Sequence, residues 1–168
     1  MILNANIKSG ENSFTKLPDS LKELGFKTPC ILVDKNLYEN SSYVTKVINN
    51  IVPKERFVFY DYPFEPSYQM LDNMMDELNG RDILNHVDVW IGIGGGSTMD
   101  TAKGLAILCN NTGSSINYKG FPIEIKKPLP VIAIPSTTGT GSEVVYNASF
   151  IDEETRVKMG INYINNYP

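Results

Sequence analysis

Two runs of small residues have the types and spacing to do chemistry: Gly92-Ile93-Gly94-Gly95-Gly96-Ser97-Thr98-Met99-Asp100 and Pro135-Ser136-Thr137-Thr138-Gly139-Thr140-Gly141-Ser142-Glu143. Glycines let a backbone turn sharply and come within hydrogen-bonding distance of a ligand, and the first N–H groups of a helix point outward without partners. The first run follows an apolar strand-like stretch and opens a helical one, so Gly94, Gly95, Gly96 and Ser97 form a candidate cradle for phosphate. Ser97 and Asp100, three positions apart, also have the spacing of a capping box, and the two readings can coexist.

In the second run, Thr137, Thr138 and Thr140 bring hydroxyls suited to phosphate, ribose or carboxamide, with a plain tight turn as the alternative. It too follows the carboxyl end of a strand, where open α/β sheets form their ligand crevice, so both runs are expected to face one ligand. Asp34 ends another apolar run. A carboxylate there can accept from ribose hydroxyls and repel a 2′-phosphate, which favours NAD over NADP; a helix-start aspartate is the competing reading. Other templates fail: there is no Gly-x-Ser-x-Gly, no glycine-bounded loop closing on Gly-Lys-Ser or Gly-Lys-Thr, and no strict G-x-G-x-x-G after the first strand.

The elements that must position these residues can be read from period and punctuation. Ile2 to Phe14 alternates loosely around Gly10 and predicts a hairpin. Leu17 to Gly25 predicts a short helix with Pro18 in its first turn. Pro29 to Asp34, Arg56 to Tyr60, Val87 to Ile93 and Val131 to Pro135 predict buried strands. Between them lie helices: one capped by Asn36 and stopped by Pro53, one capped by Ser67 and ended by Gly80 with a Met70, Met74, Met75 core stripe, and one from Thr98 to Cys109. That alternation predicts a doubly wound, mostly parallel α/β sheet of the Rossmann-like kind, with a second hairpin from Val144 to Ile151 and Arg156 to Ile161.

A chain of 168 residues, 42% of them hydrophobic, has the size of one domain, so residues 1–168 are expected to form a single unit. The 15 basic and 19 acidic residues leave a net charge of -4, which offers no positive field for nucleic acid or an anionic membrane. Two cysteines, Cys30 and Cys109, suggest no disulfide framework, and with no signal-like start or membrane-length apolar run the expectation is a soluble, cytoplasmic protein. His86 is the one histidine, so no three-histidine metal site can be assembled from this chain.

The two runs, in this order and separation, together with Ile31-Leu32-Val33-Asp34-Lys35, resemble the iron-containing (group III) alcohol dehydrogenase family over essentially the whole chain. The resemblance implies NAD(P)-dependent oxidation of small alcohols or reduction of aldehydes by two-domain subunits that often form homo-oligomers. It also implies roles: Asp34 at the adenosine ribose, Gly95, Gly96 and Ser97 at the pyrophosphate, Thr137, Thr138 and Thr140 at the phosphate and nicotinamide side, and Lys158 approaching the cofactor. Lys158 can equally be a solvated strand lysine. Glu65 stands where several relatives place a neutral residue. The family's iron or other divalent ion is held by an aspartate and histidines of a helical C-terminal domain, which is expected beyond Pro168. On that reading the chain binds dinucleotide and is inactive alone, with no catalytic or metal residue of its own. A non-catalytic nucleotide-binding or interaction module, pairing through its N-terminal hairpin, is the second reading, and a dehydroquinate-synthase-like lyase the third.

Overall fold

A computed structural model of the chain describes residues 5–53, 56–81 and 83–168. Four strands, β1 (Pro29–Asp34), β2 (Phe57–Tyr60), β3 (Val89–Gly94) and β4 (Val131–Pro135), form one parallel sheet in the order β2-β1-β3-β4. Parallel strands need crossovers, and the helices α1 (Leu17–Glu23), α2 (Lys35–Asn40), α3 (Ser42–Asn49), α4 (Tyr68–Gly80) and α5 (Gly96–Leu108) alternate with them along the chain. The order reverses direction between β1 and β3. In such sheets that is the point where the loops diverge and leave a crevice.

Side chains that alternate along each strand divide the core in two. Cys30, Leu32 and Trp90 face Leu71 and Leu78 of α4 and Leu105 of α5, whereas Ile31, Val33 and Ile91 face Leu21 of α1 and Ile48 of α3. The sheet is therefore covered on both faces, which explains why its strands read as continuous apolar runs. The methionine stripe is core, with Met70 and Met74 buried and Met75 packed against them. Each buried side chain of this size contributes roughly 1.5–3 kcal/mol by leaving water. A second sheet, the antiparallel hairpin β5 (Asn147–Ile151) and β6 (Lys158–Asn162), buries Ala148, Phe150 and Ile161 against the α4–α5 side.

Three expectations about these elements change. The helix predicted from Asn36 to Pro53 is two: Ser41 is extended at φ -122 and ψ 97, and its Oγ caps α3 by accepting from Val44 N. Asp34, not Asn36, caps α2, accepting from Leu37 N at 2.8 Å. The N-terminal hairpin is also absent from its described part. Residues 1–4 lie outside the description, residues 5–9 carry no strand, and Ser13–Lys16 form a 3-10 turn running into α1. Positive φ at Gly10 and Asn12 turns the chain there, and Ser13 N bonds back to Gly10 O and Thr15 N to Asn12 O, so the segment coils locally.

Candidate functional site

The carboxyl ends of β1 and β3 adjoin, and the two small-residue loops leave the sheet beside them. Ser136 N donates to Gly94 O at 2.8 Å, tying the second loop to the first at its root. The contact leaves no room for larger residues. A Cβ on Gly94 would lie 2.5 Å from Thr98 Oγ1 and 3.1 Å from Asp34 Cβ, and one on Gly96 would lie 2.9 Å from Thr140 Cγ2. These glycines bring β1, the start of α5 and the second loop together.

Between the loops opens a cleft of about 680 Å³, a size usual for small-molecule sites. Asp34, Gly95, Gly96, Ser97 and Thr137 all line it. Gly95 caps α5 without any side-chain hydrogen bond, so the leading N–H groups of a 13-residue helix are left to a ligand. Among the described residues no lysine or arginine lines the cleft, so an anion there would have to rely on backbone N–H groups, the helix dipole and hydroxyls.

The sequence pattern did not point to the contribution of the β2 end. Tyr60, Tyr62, Phe64 and Glu65 all line the cleft, and Phe64 is 79% exposed. Tyr60 is buried, its hydroxyl donates to Phe64 O at 3.2 Å, and burial raises its pKa while a hydrogen bond with Ser97 opposes the rise. An aromatic run after a strand was the available signal, masked because β2 joins the site only through its pairing with β1.

The expected site residues divide by position. Asp34, Gly95, Gly96, Ser97 and Thr137 line the cleft together, with Gly94 at their root. Thr138 is exposed on the second loop, outside the lining, and Thr140 packs over Gly96. Asp34 also serves as helix cap through Oδ1. Asp100 is a correction: it neither returns to Ser97 as a capping box nor enters the cleft. It accepts the Ser142 hydroxyl and Ser149 N at 3.0 Å, outside the cleft lining. Lys158 stands outside the lining as well, paired at 2.5 Å with Glu65, which is within it.

A parallel doubly wound sheet with a glycine cradle at its reversal point defines a class of α/β proteins that bind phosphate-bearing ligands above the strand ends. Within that class, this chain belongs to the iron-containing alcohol dehydrogenase family, whose model matches residues 4–168. It is 34% identical over 165 residues to the mitochondrial hydroxyacid-oxoacid transhydrogenase of Xenopus tropicalis, covering 94% of this chain and 35% of that protein. An alcohol dehydrogenase from Oenococcus oeni superposes with a TM-score of 0.76 at 28% identity, covering 92% of this chain and 40% of that one. A sulfoacetaldehyde reductase from Bifidobacterium kashiwanohense, solved in complex with NAD+, shares the fold with a TM-score of 0.82 at 23% identity, covering 99% and 43%. The chain thus spans about a third of the length of the curated relatives it matches.

Among the described residues no group of three or more His, Cys, Asp or Glu could hold a metal ion. No helix among them is long and apolar enough to cross a membrane.

Proposed function

We propose that residues 1–168 form the NAD-binding domain of an alcohol dehydrogenase or aldehyde reductase. The observation that carries the reading is the cleft at the β1–β3 reversal, which brings Asp34, Gly95, Gly96, Ser97 and Thr137 into one lining. Asp34 lines the cleft while its Oδ1 is engaged by Leu37 N; in this reading its carboxylate accepts from a ribose diol and would repel a 2′-phosphate. That arrangement favours NAD over NADP. The N-terminal N–H groups of α5 and the Ser97 hydroxyl suit the pyrophosphate, and the threonine loop beyond Thr137 suits the nicotinamide side.

Bound NAD supplies the hydride acceptor or donor for interconverting a hydroxyl and a carbonyl. The chain's own residues bind and orient it. The names of the relatives, a transhydrogenase, an alcohol dehydrogenase and an aldehyde reductase, all describe that class of interconversion and support the same reaction here. Turnover and any homo-oligomeric contact belong to the complete enzyme in this reading. Two free cysteines, one buried, favour a reducing compartment, for which we take the cytoplasm; the relatives named as mitochondrial make the mitochondrion the competing location, and cell fractionation decides between them.

Calorimetric titration of the 168-residue chain with NAD and then NADP tests the reading. Binding of NAD in preference to NADP, without alcohol oxidation in metal-stripped buffer, is the expected result. Failure to bind either dinucleotide overturns it, and turnover by this chain alone removes the claim that it is only the binding half.

A further inference from the structure

Among the described residues the most deeply buried charge lies on α5, outside the cleft lining. Lys103 is fully buried, and its Nζ donates to Ser142 O at 2.9 Å, Val145 O at 3.1 Å and Asn147 O at 2.6 Å while lying 3.1 Å from Asp100 Oδ1. Asp100 in turn accepts the Ser142 hydroxyl and Ser149 N. Burial pushes the lysine pKa down and Asp100 opposes this. Three carbonyl acceptors call for three N–H hydrogens, which only the ammonium form has. A buried charge is tolerated only when so completely bonded, and its removal would strand three carbonyls and a carboxylate.

The three carbonyl acceptors lie where the second loop rejoins the fold. The stretch from Ser136 to Thr140 is itself exposed, and Gly139 and Gly141 have φ of +103 and +67. Its entry is held by Ser136 N on Gly94 O. Its exit is held by the Lys103–Asp100 pair.

We propose that Lys103 and Asp100 are positioning residues that set the second loop, and so the nicotinamide-side wall of the cleft, without touching the ligand. The proposal rests on the dinucleotide reading above. It also replaces the cofactor contact expected of Asp100 with an action through Ser142 and the main chain. Because Asp34 and its wall are anchored separately by β1 and α2, the pair should govern one half of the ligand and not the other.

AMP, which carries only the adenosine half, and NAD together expose that asymmetry. For Lys103→Met, calorimetry should show NAD weakened about tenfold or more with AMP within about twofold of wild type, the scale set by stranding buried carbonyls. Equal weakening of both ligands would reduce Lys103 to general stability and overturn the proposal, as would unchanged NAD affinity. If the variant does not fold, Ser142→Ala, which removes one donor from Asp100, should weaken NAD selectively by about threefold, and loss shared with AMP counts against it. A wild-type chain that binds AMP but not NAD refutes this proposal, whereas one that binds neither refutes the dinucleotide reading beneath it.

Discussion

Lys158 Nζ lies 2.5 Å from Glu65 Oε1, an ion pair that links β6 to the rim of the cleft across most of the chain's length. Both side chains are about half exposed, 48% and 54%, so the pair adds only roughly 0–1 kcal/mol to stability. Its consequence is electrostatic. Glu65 offers an anionic ligand a like charge and occupies Lys158. Glu65→Gln should therefore tighten NAD by about threefold at low salt, and the gain should fade toward 1 M salt as screening shortens to about 3 Å. Weaker binding at both salt concentrations would instead make Glu65 a structural prop of the rim.

Two glycines on α5 should respond differently to the same methyl group. At Gly96 the added Cβ lies 2.9 Å from Thr140 Cγ2, so Gly96→Ala is expected to displace the second loop and weaken NAD about tenfold with a small change in Tm. At Gly104 it lies 2.7 Å from Leu71 Cδ2 and Phe150 Cζ, inside the core. Gly104→Ala is expected to cost about 1–3 kcal/mol by overpacking and to leave the affinity of the folded fraction unchanged. Paired thermal melts and titrations distinguish the outcomes, and identical profiles for the two variants would contradict this division of labour.

Asp34 carries a structural task and a proposed binding task, and serine separates them. Ser is as good an N-cap as Asp, whereas alanine would lose about 1 kcal/mol of cap. Asp34→Ser should keep Tm near wild type while shifting preference from NAD toward NADP, because the charge facing the 2′ position is gone. A melting temperature that falls as far as in Asp34→Ala, with NAD preference intact, would assign the residue to capping alone.

The Cys30 thiol is buried in the sheet and donates to Arg56 O at 3.1 Å; desolvation, with Cys109 adding to it, pushes its pKa up to about 12. The unfolded thiol titrates near ~8.5, so between that value and 12 the folded chain holds a proton the unfolded chain releases. Stability should be undiminished by this group below about pH 8.5 and fall as pH rises from there. Iodoacetamide at pH 8 should leave Cys30 unlabelled until denaturant is added, and rapid labelling in the native state would show that the β1–β3 region opens.

The strands were the most readable part of the chain, because Ile31-Leu32-Val33 and Val89 to Ile93 are buried on both faces and need no polar alternation. α4 was equally plain, with Ser67 accepting from Met70 N at its start. The break at Ser41 was hidden because Asn40-Ser41-Ser42 interrupts a pattern whose apolar spacing continues across it. Within the site, the glycines and Asp34 announced themselves by type, but Asp100 was misread: its spacing from Ser97 suits a cap, and only the packing of β5 on α5 shows where its carboxylate goes. Lys103 closes the run Gly94 to Lys103 that resembles the family, but nothing in the sequence marked its task, since buried lysines are rare and its acceptors are main-chain atoms that no residue type marks.

The reversal of strand order between β1 and β3 also governs when the cleft comes into being. Cys30 meets Trp90 in register only after β2, α4 and their crossovers have been traversed, so the two walls are remote along the chain although they touch in space. Such non-local pairing makes folding slow compared with helical proteins of the same length. A dinucleotide spanning both walls has nothing to hold in a partly folded chain. It should slow unfolding and leave the refolding rate nearly untouched, which makes the ligand a late witness of folding and not a nucleus for it.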